Sequence, residues 1–262
     1  MTDMLQFDAA TARRVEAVYS TPDVVAQRRE VLRALALLPG ERVVDIGAGP
    51  GFLAAEMAAA LGPLGRVHAV DPSESMLALA RAREARPGAA TVEISAGSAT
   101  ALPLPDASVD VAVSTQVFEY VADIPAALAE ARRVLVPGGR LLVLDTDWDS
   151  IVWHSHDAAR TARILAAWDE HLLDPHLPRT LGPALRAAGF TVTGTQVLPL
   201  LNVGSDASSY SGTIVPVIAE FVAGRAGVTD ADVQAWRDDL ASLGEAAFFS
   251  LNRYVFLATK PR

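Results

Sequence analysis

The sequence predicts an α/β protein, a mostly parallel sheet with helices on both faces. Three observations point there. Residues 43–52, Val43-Val44-Asp45-Ile46-Gly47-Ala48-Gly49-Pro50-Gly51-Phe52, read as a buried strand that ends in an acid, followed by three alternate glycines and a helix over 53–61. Further apolar runs at 66–71, 91–95, 108–114 and 140–144 alternate with stretches of helical period, the pattern of repeated strand–helix units. Pro137-Gly138-Gly139 makes a firm helix stop just before the last of these runs.

The glycine turn is a natural ligand site. A strand, a turn and a helix N-terminus present backbone N–H groups to the polar part of a nucleotide-like ligand. A Cβ at the glycines would block close approach. Spacing separates two kinds of ligand. Dinucleotide folds use G-x-G-x-x-G, with a pyrophosphate on the helix N-terminus. Here the third glycine comes one residue early, as Gly47-x-Gly49-x-Gly51. Asp45 would repel a pyrophosphate and suits a ligand carrying an ammonium group. Both features speak against an NAD-dependent oxidoreductase. A tight strand–helix connection without a ligand is the plainer alternative.

Upstream of the turn, residues 1–20 read as helical, most clearly over 11–19. Thr21-Pro22-Asp23 opens a second helix, with Thr as N-cap and Pro at the first helical position. Val24, Val31, Leu32, Leu35 and Leu38 give that helix one apolar face, and Pro39-Gly40 end it. Downstream, the second strand ends in Asp71, about twenty residues past the turn, where an acid takes a ribose hydroxyl pair in doubly wound folds. A carboxylate can accept from both vicinal hydroxyls. Alternatively, Asp71 caps the helix begun at Pro72-Ser73-Glu74. Met76 packs either on an adenine or in the core. The third strand, 91–95, runs into Gly97-Ser98-Ala99-Thr100-Ala101-Leu102-Pro103-Leu104, and the fourth, 108–114, into Thr115-Gln116-Val117-Phe118-Glu119-Tyr120-Val121. Asp123-Ile124-Pro125 caps the helix that leads to strand five.

Taken in this order from about 39 to 145, these motifs resemble the class I S-adenosylmethionine (SAM)-dependent methyltransferases. The nearest group is the small-molecule type similar to the methyltransferases of ubiquinone and menaquinone biosynthesis. The resemblance rests on the Asp45 glycine turn, Asp71, a segment at 97–104 similar to the family's G-D-A-x-x-L-P-F, the stretch 114–121, and an L-x-P-G-G turn at 135–139. It implies a Rossmann-like, seven-stranded, mostly parallel sheet, with an N-terminal helical lid and a helical insertion between strands six and seven. It also implies SAM as cofactor. Asp45, Gly47, Ala48, Gly49 and Gly51 would then hold the methionine part, and Asp71 with Pro72 the ribose. Met76, Ser98 and Ala99 would meet the adenine, Thr115 and Gln116 would pass under the methionine part, and Tyr19 with Arg28 would line the lid. Ser98 stands where the family carries an acid, so a hydroxyl remains there and the charge is lost. The stretch 114–121 is not the N/D-P-P-Y/F motif of enzymes that methylate base amino groups.

After strand five comes Asp145-Thr146-Asp147-Trp148-Asp149-Ser150-Ile151-Val152-Trp153-His154-Ser155-His156-Asp157, at the sheet edge where a substrate is expected. One reading is a metal site built from His154, His156 and the acids. The favoured one is an acceptor pocket, with aromatics as walls and Asp147 or His154 as general base. A charged loop anchored by two buried Trp is the third. No metal is expected. Helical patterns follow at 157–173 and 180–188, then the sixth strand at 190–198. The seventh, antiparallel strand is expected at 254–260. Between them, helical patterns at 211–223 and 229–243 form the insertion. Asn202, Tyr210, Phe248 and Phe249 are either pocket walls or packing.

Composition narrows the functional classes. The 262 residues are 51% hydrophobic, enough for a sizeable core. A net charge of −9 argues against a broad nucleic-acid surface. No apolar run approaches the length of a membrane span, the N-terminus lacks a secretory signal, and the absence of cysteine rules out disulfides and thiolate metal sites. A cytoplasmic protein is the expectation. Four regions follow: a helical lid over 1–38, a SAM-binding core over 39–198, an insertion over 199–252 and the last core strand over 253–262. The expected activity is methyl transfer to a small acceptor, a secondary metabolite or quinone-like molecule. A SAM-binding protein that does not methylate, serving binding or a rearrangement, is the alternative.

Overall fold

A computed structural model describes residues 9–83 and 86–262, with side chains from Ala12 onward. The first eight residues of the expected N-terminal helix therefore lie outside the described residues. Two helices, α1 (Ala9–Tyr19) and α2 (Pro22–Leu35), precede the sheet. Alternation then runs β1 (Arg42–Ile46), α3 (Phe52–Leu61), β2 (Arg66–Asp71), α4 (Glu74–Arg81), β3 (Thr91–Ala96), β4 (Val109–Thr115), α5 (Ile124–Val134) and β5 (Leu135–Thr146). The second half comprises β6 (Val152–Trp153), α6 (Ala158–Trp168), α7 (Pro178–Ala187), β7 (Thr191–Val203), α8 (Tyr210–Val222), α9 (Asp230–Ser242) and β8 (Phe248–Thr259).

The strands lie in the order β3-β2-β1-β4-β5-β8, with β7 also paired to β8. β1 to β5 are parallel, and β8 runs antiparallel to both β5 and β7. The sheet has eight strands, one more than expected. The extra one is β6, whose Val152 and Trp153 pair with Ser250 and Phe249 beyond the end of the β5 pairing. The central strands are buried on both faces, which is why they read as unbroken apolar runs. On one face α2 and α3 pack through Val31, Leu53, Met57 and Leu61. On the other, α5 and α7 pack through Leu128, Val134, Leu181 and Leu185. A third core, centred on Trp168, Ile218, Trp236 and Phe249, joins α6, α8 and α9 to the far end of β8 and forms a helical cap. No helix among the described residues is long and apolar enough to cross a membrane.

Two boundaries differ from expectation. β7 runs through Pro199 to Val203, and β8 begins at Phe248. The two strands stay paired in register from Pro199↔Asn252 to Val203↔Phe248. From its sequence β7 is expected to end at Leu198; proline removes a ladder donor, yet Pro199 continues it. β7 pairs with β8 alone, so its other edge is free and the missing N–H is tolerated. The long hairpin thus lifts α8 and α9 above the sheet. Two further ties hold the cap to α2. Asp23 accepts from the Tyr210 backbone N–H at 2.7 Å and from Asn202 Nδ2 at 3.1 Å.

Candidate active site

The chain leaves β1 toward β2 on one side and returns to β4 on the other. Crevices form at such a switch point, beyond the carboxyl ends of the strands. Here the crevice is a cavity of about 950 Å³, mouth included, a size that fits a cofactor. Its floor is main chain. Gly47 and Ala48 donate to the Val70 carbonyl at 2.8 and 3.0 Å, which fastens the turn to β2. Asp71 stitches two loops together, accepting from Gly49 N–H and from Ser73 N–H, each at 2.8 Å. Burial pushes its carboxyl up, and these two donors resist the shift. Asp45 is buried, and its Oδ2 has no hydrogen-bond partner among the described residues. Burial, with the charge of Asp71, pushes its pKa up to about 7.

Gly47, Ala48, Gly49, Asp71, Pro72, Met76, Thr115, Gln116 and Tyr19 line this outer chamber, and Arg28 does so as well. Tyr19 is half-buried; the desolvation of its phenol pushes it up to about 12, and its carbonyl accepts from Arg28 Nη1 at 2.6 Å. Ser98 and Ala99 line a side recess that shares Gly47, Pro72, Val117 and Tyr120 with the chamber wall or mouth. The glycines divide their roles. Gly51 does not line the chamber; a Cβ there would meet the Ala80 Cβ at 2.9 Å, so this glycine lets α4 pack on the turn. Gly47 has φ +72, and a Cβ on it would lie 2.3 Å from Val117 Cγ2. Only at Gly49, where the nearest atom stands 3.9 Å away on Tyr19, is the reserved space open.

Beside the outer chamber lies a narrower inner one, and Tyr19, Gln116, Tyr120 and Arg253 line both. Its walls are aromatic. Trp168 stacks on His171 with ring centroids 3.7 Å apart, and Trp148 meets both rings edge-on. Tyr120 and Tyr210 complete the wall. Burial drives the His171 pKa down to about 3, so the ring is neutral, and its Nδ1 faces the Trp168 carbonyl. Glu119 is also buried and raised by burial; it accepts from the Thr146 backbone N–H at 3.2 Å. The loop carrying it is held from below. Asp145 accepts from the Val117 N–H at 3.0 Å, while Gln116 adopts φ +57 and donates its N–H to Leu144. That turn brings the Gln116 side chain to the junction of the chambers, where Thr146 Oγ1 donates to it at 2.8 Å.

Neither residue expected to act as a base lines either chamber. Asp147 accepts from Arg179 at 2.7 and 2.9 Å and lies 3.1 Å from His176 Nδ1. Burial opposes its ionisation, but Arg179 and His176 outweigh that and hold the carboxyl below its ordinary value. It is thus a closed ion cluster on the outside. Asp147, Asp149 and His176 do bring ligand atoms within 4.8 Å of one another, but Arg179 already sits on both carboxylates. His154 is exposed, because β6 carries the chain away along β8; its backbone N–H bonds to Phe248. His156 is taken by Asp239 at 2.7 Å. Of the other expected walls, Tyr210 lines the inner chamber, Phe249 packs against Trp153, Phe248 is exposed and Asn202 ties down α8. Sequence reasoning missed Arg253, Gln27, Trp168 and His171. Arg253 had a visible signal, a charge inside the apolar run of β8.

Comparison with known proteins agrees with this geometry. A family described as "methyltransferase domain" matches residues 44–143. An uncharacterized 37.1 kDa protein in transposon Tn4556 of Streptomyces fradiae is 38% identical over 72% of this chain, and the match spans 54% of that protein, about half its length. A demethylmenaquinone methyltransferase of Symbiobacterium thermophilum is 32% identical over 66% of this chain and 77% of its own. Phosphoethanolamine N-methyltransferase 2 of Haemonchus contortus, crystallised with SAM, shares the fold, with a TM-score of 0.62 and 20% identity over 99% of this chain and 59% of that one. The turn, the switch-point cavity and these likenesses together place the chain in the class I S-adenosylmethionine-dependent methyltransferase family.

Proposed function

We propose that the protein transfers a methyl group from SAM to a small acceptor held in the inner chamber. The observation that carries this reading is the junction. The chamber beside the glycine turn and the aromatic one are adjacent, with four side chains common to both. The residues present fit SAM. The unpartnered buried carboxylate of Asp45, just below the chamber lining, suits an ammonium group, Gly49 leaves open space on the chamber side, and Asp71 offers a carboxylate for ribose hydroxyls. Met76, with Ser98 and Ala99 in the side recess, suits the adenine. SAM, when bound, supplies a methyl group on an electron-poor sulfur that needs no further activation. The chain's own contribution is then to bind, to align and to exclude water. Tyr19, on α1, closes over both chambers. Asp147 and His154 take no part, since both lie outside the cavity. If the acceptor must lose a proton, Glu119 is the carboxyl that lines the inner chamber.

The test is turnover. Purified protein incubated with methyl-labelled SAM and pooled small phenols, acids and amines should yield S-adenosylhomocysteine and a labelled product. Tight S-adenosylhomocysteine binding without label transfer from any pool would instead favour the non-methylating alternative.

A further inference from the structure

We propose that the inner chamber admits a small planar molecule bearing an oxyanion, and that Arg253 is the residue that selects it. This rests on reading the outer chamber as the cofactor's. Arg253 sits on β8 between the two chambers and is 2% exposed. Its Nη1 donates to Gln27, its guanidinium lies beside the Tyr210 ring with Cζ 5.1 Å from the centroid, and its Nε has no partner. No carboxylate among the described residues forms an ion pair with it. Burying a guanidinium without an ion-paired carboxylate is unfavourable, so a position that needed only packing would favour an apolar residue. Glu119 lines the same chamber and feels the charge of Arg253, which favours its ionised form, but burial outweighs this and the Thr146 N–H holds its Oε2, so it stays short of an ion pair.

The unpartnered buried polar atoms of the described residues lining the chamber are all N–H groups. Gln116 Nε2 and Trp168 Nε1 are likewise buried N–H groups without partners, and both residues line it. The unpartnered buried oxygens among the described residues belong to Asp45, Glu56, Ser114 and Asp145, none of which lines it. A chamber offering donors is complementary to a ligand offering lone pairs. The Trp168–His171 stack and the edge-on Trp148 give flat apolar walls, which suit a planar body. An anionic acceptor also needs no proton removed first, in keeping with a His171 that is held neutral by burial.

Trp148 and Trp168 line the chamber, so intrinsic fluorescence reports entry directly. Benzoate, benzamide and benzylamine share one ring and differ in charge. With S-adenosylhomocysteine-saturated protein, benzoate should quench with a Kd at least tenfold below the other two. Equal or tighter binding of benzamide or benzylamine overturns the proposal, as does the absence of quenching by all three; these readings need no variant. Arg253→Met, read at S-adenosylhomocysteine concentrations shown by calorimetry to saturate the variant, should abolish the preference for benzoate. If Arg253→Met loses S-adenosylhomocysteine and keeps the benzoate preference, the guanidinium serves the cofactor's carboxylate and the proposal falls. Wild-type protein that binds no S-adenosylhomocysteine would refute the cofactor reading instead. The three-ligand comparison on ligand-free protein would then still decide the inner chamber.

Discussion

The outer and inner chambers touch, yet they are built by different means. The outer one is drawn largely from three short stretches at 47–53, 71–76 and 115–117, each at or just past the carboxyl end of a parallel strand, with Tyr19, Val24, Gln27, Arg28, Tyr120 and Arg253 closing it. The inner one is almost all side chain. It gathers Val15 and Tyr19 from α1, Glu119 and Tyr120 after β4, Trp148 after β5, Trp168 and His171 at the end of α6, Tyr210 and Ile214 on α8, and Arg253 on β8. A site made of backbone is fixed by the fold, because each hydrogen bond that shapes it also holds strands and turns together. A site made of side chains can be rebuilt by substitution without disturbing the sheet. This division lets one scaffold keep its cofactor while changing its acceptor.

Substitutions can break the comparison or sharpen it. The largest effect is expected at Gly47→Ala. The added Cβ would lie 2.3 Å from Val117 Cγ2 on a backbone of φ +72. Strain and overpacking together should cost about 3 kcal/mol or more, a fall of roughly 10 °C in Tm by calorimetry. Gly62→Ala, at φ +69 with nothing within 4 Å, isolates the strain alone and should cost about 1 kcal/mol. Equal losses at the two positions would deny that the turn is clamped by Val117.

Next in size is Asp71→Asn. It keeps an acceptor for one backbone donor and removes the charge, so S-adenosylhomocysteine affinity should fall about tenfold, roughly 1.4 kcal/mol. Benzoate quenching should change far less, since Asp71 does not line the inner chamber.

A pH series probes the same contrast. Asp45 titrates at about 7 in the folded protein against an ordinary value of 3.8, so folding favours its neutral form. Its contribution to stability is therefore complete below about pH 4 and is lost as pH rises to about 7. An ammonium ligand prefers the ionised form, so SAM affinity should weaken by up to about tenfold per unit as pH falls below about 7. Asp45→Asn should flatten that profile, whereas an unchanged slope would mean that another group carries it. The smallest effects are expected at Asp147→Asn and His154→Ala. Neither residue lines a chamber, so turnover should stay within about twofold.

The same division decides what could be read in the sequence. The glycine turn and the acids at the ends of β1 and β2 are local signals, and each fell where the pattern put it; α5 ends earlier than expected, at Val134, and Pro137-Gly138-Gly139 lies inside β5. The extension of β7 through Pro199 was not legible, because a proline's effect depends on whether a neighbouring strand exists on that edge, a fact of the whole sheet. The loop after β5 misled for a similar reason. Two histidines and three carboxylates near a substrate edge suggested a base, but the pairing of Val152 and Trp153 with β8 turns the histidines outward, and Arg179, thirty-two residues beyond Asp147, closes the ion cluster. Trp168 and His171 belong to a helical pattern that reads equally well as core. Only the approach of α6 to the β4 and β5 loops makes them a wall. Arg253 was the exception, a long-range element with a local mark.

Co-crystallisation with S-adenosylhomocysteine tests the two-chamber arrangement most directly. The nucleoside should lie in the outer chamber with its ribose hydroxyls on Asp71, its ammonium group toward Asp45, and its sulfur at the junction beside Gln116 and Tyr120. A nucleoside seated away from the glycine turn, or one whose sulfur faces away from the aromatic chamber, would contradict it.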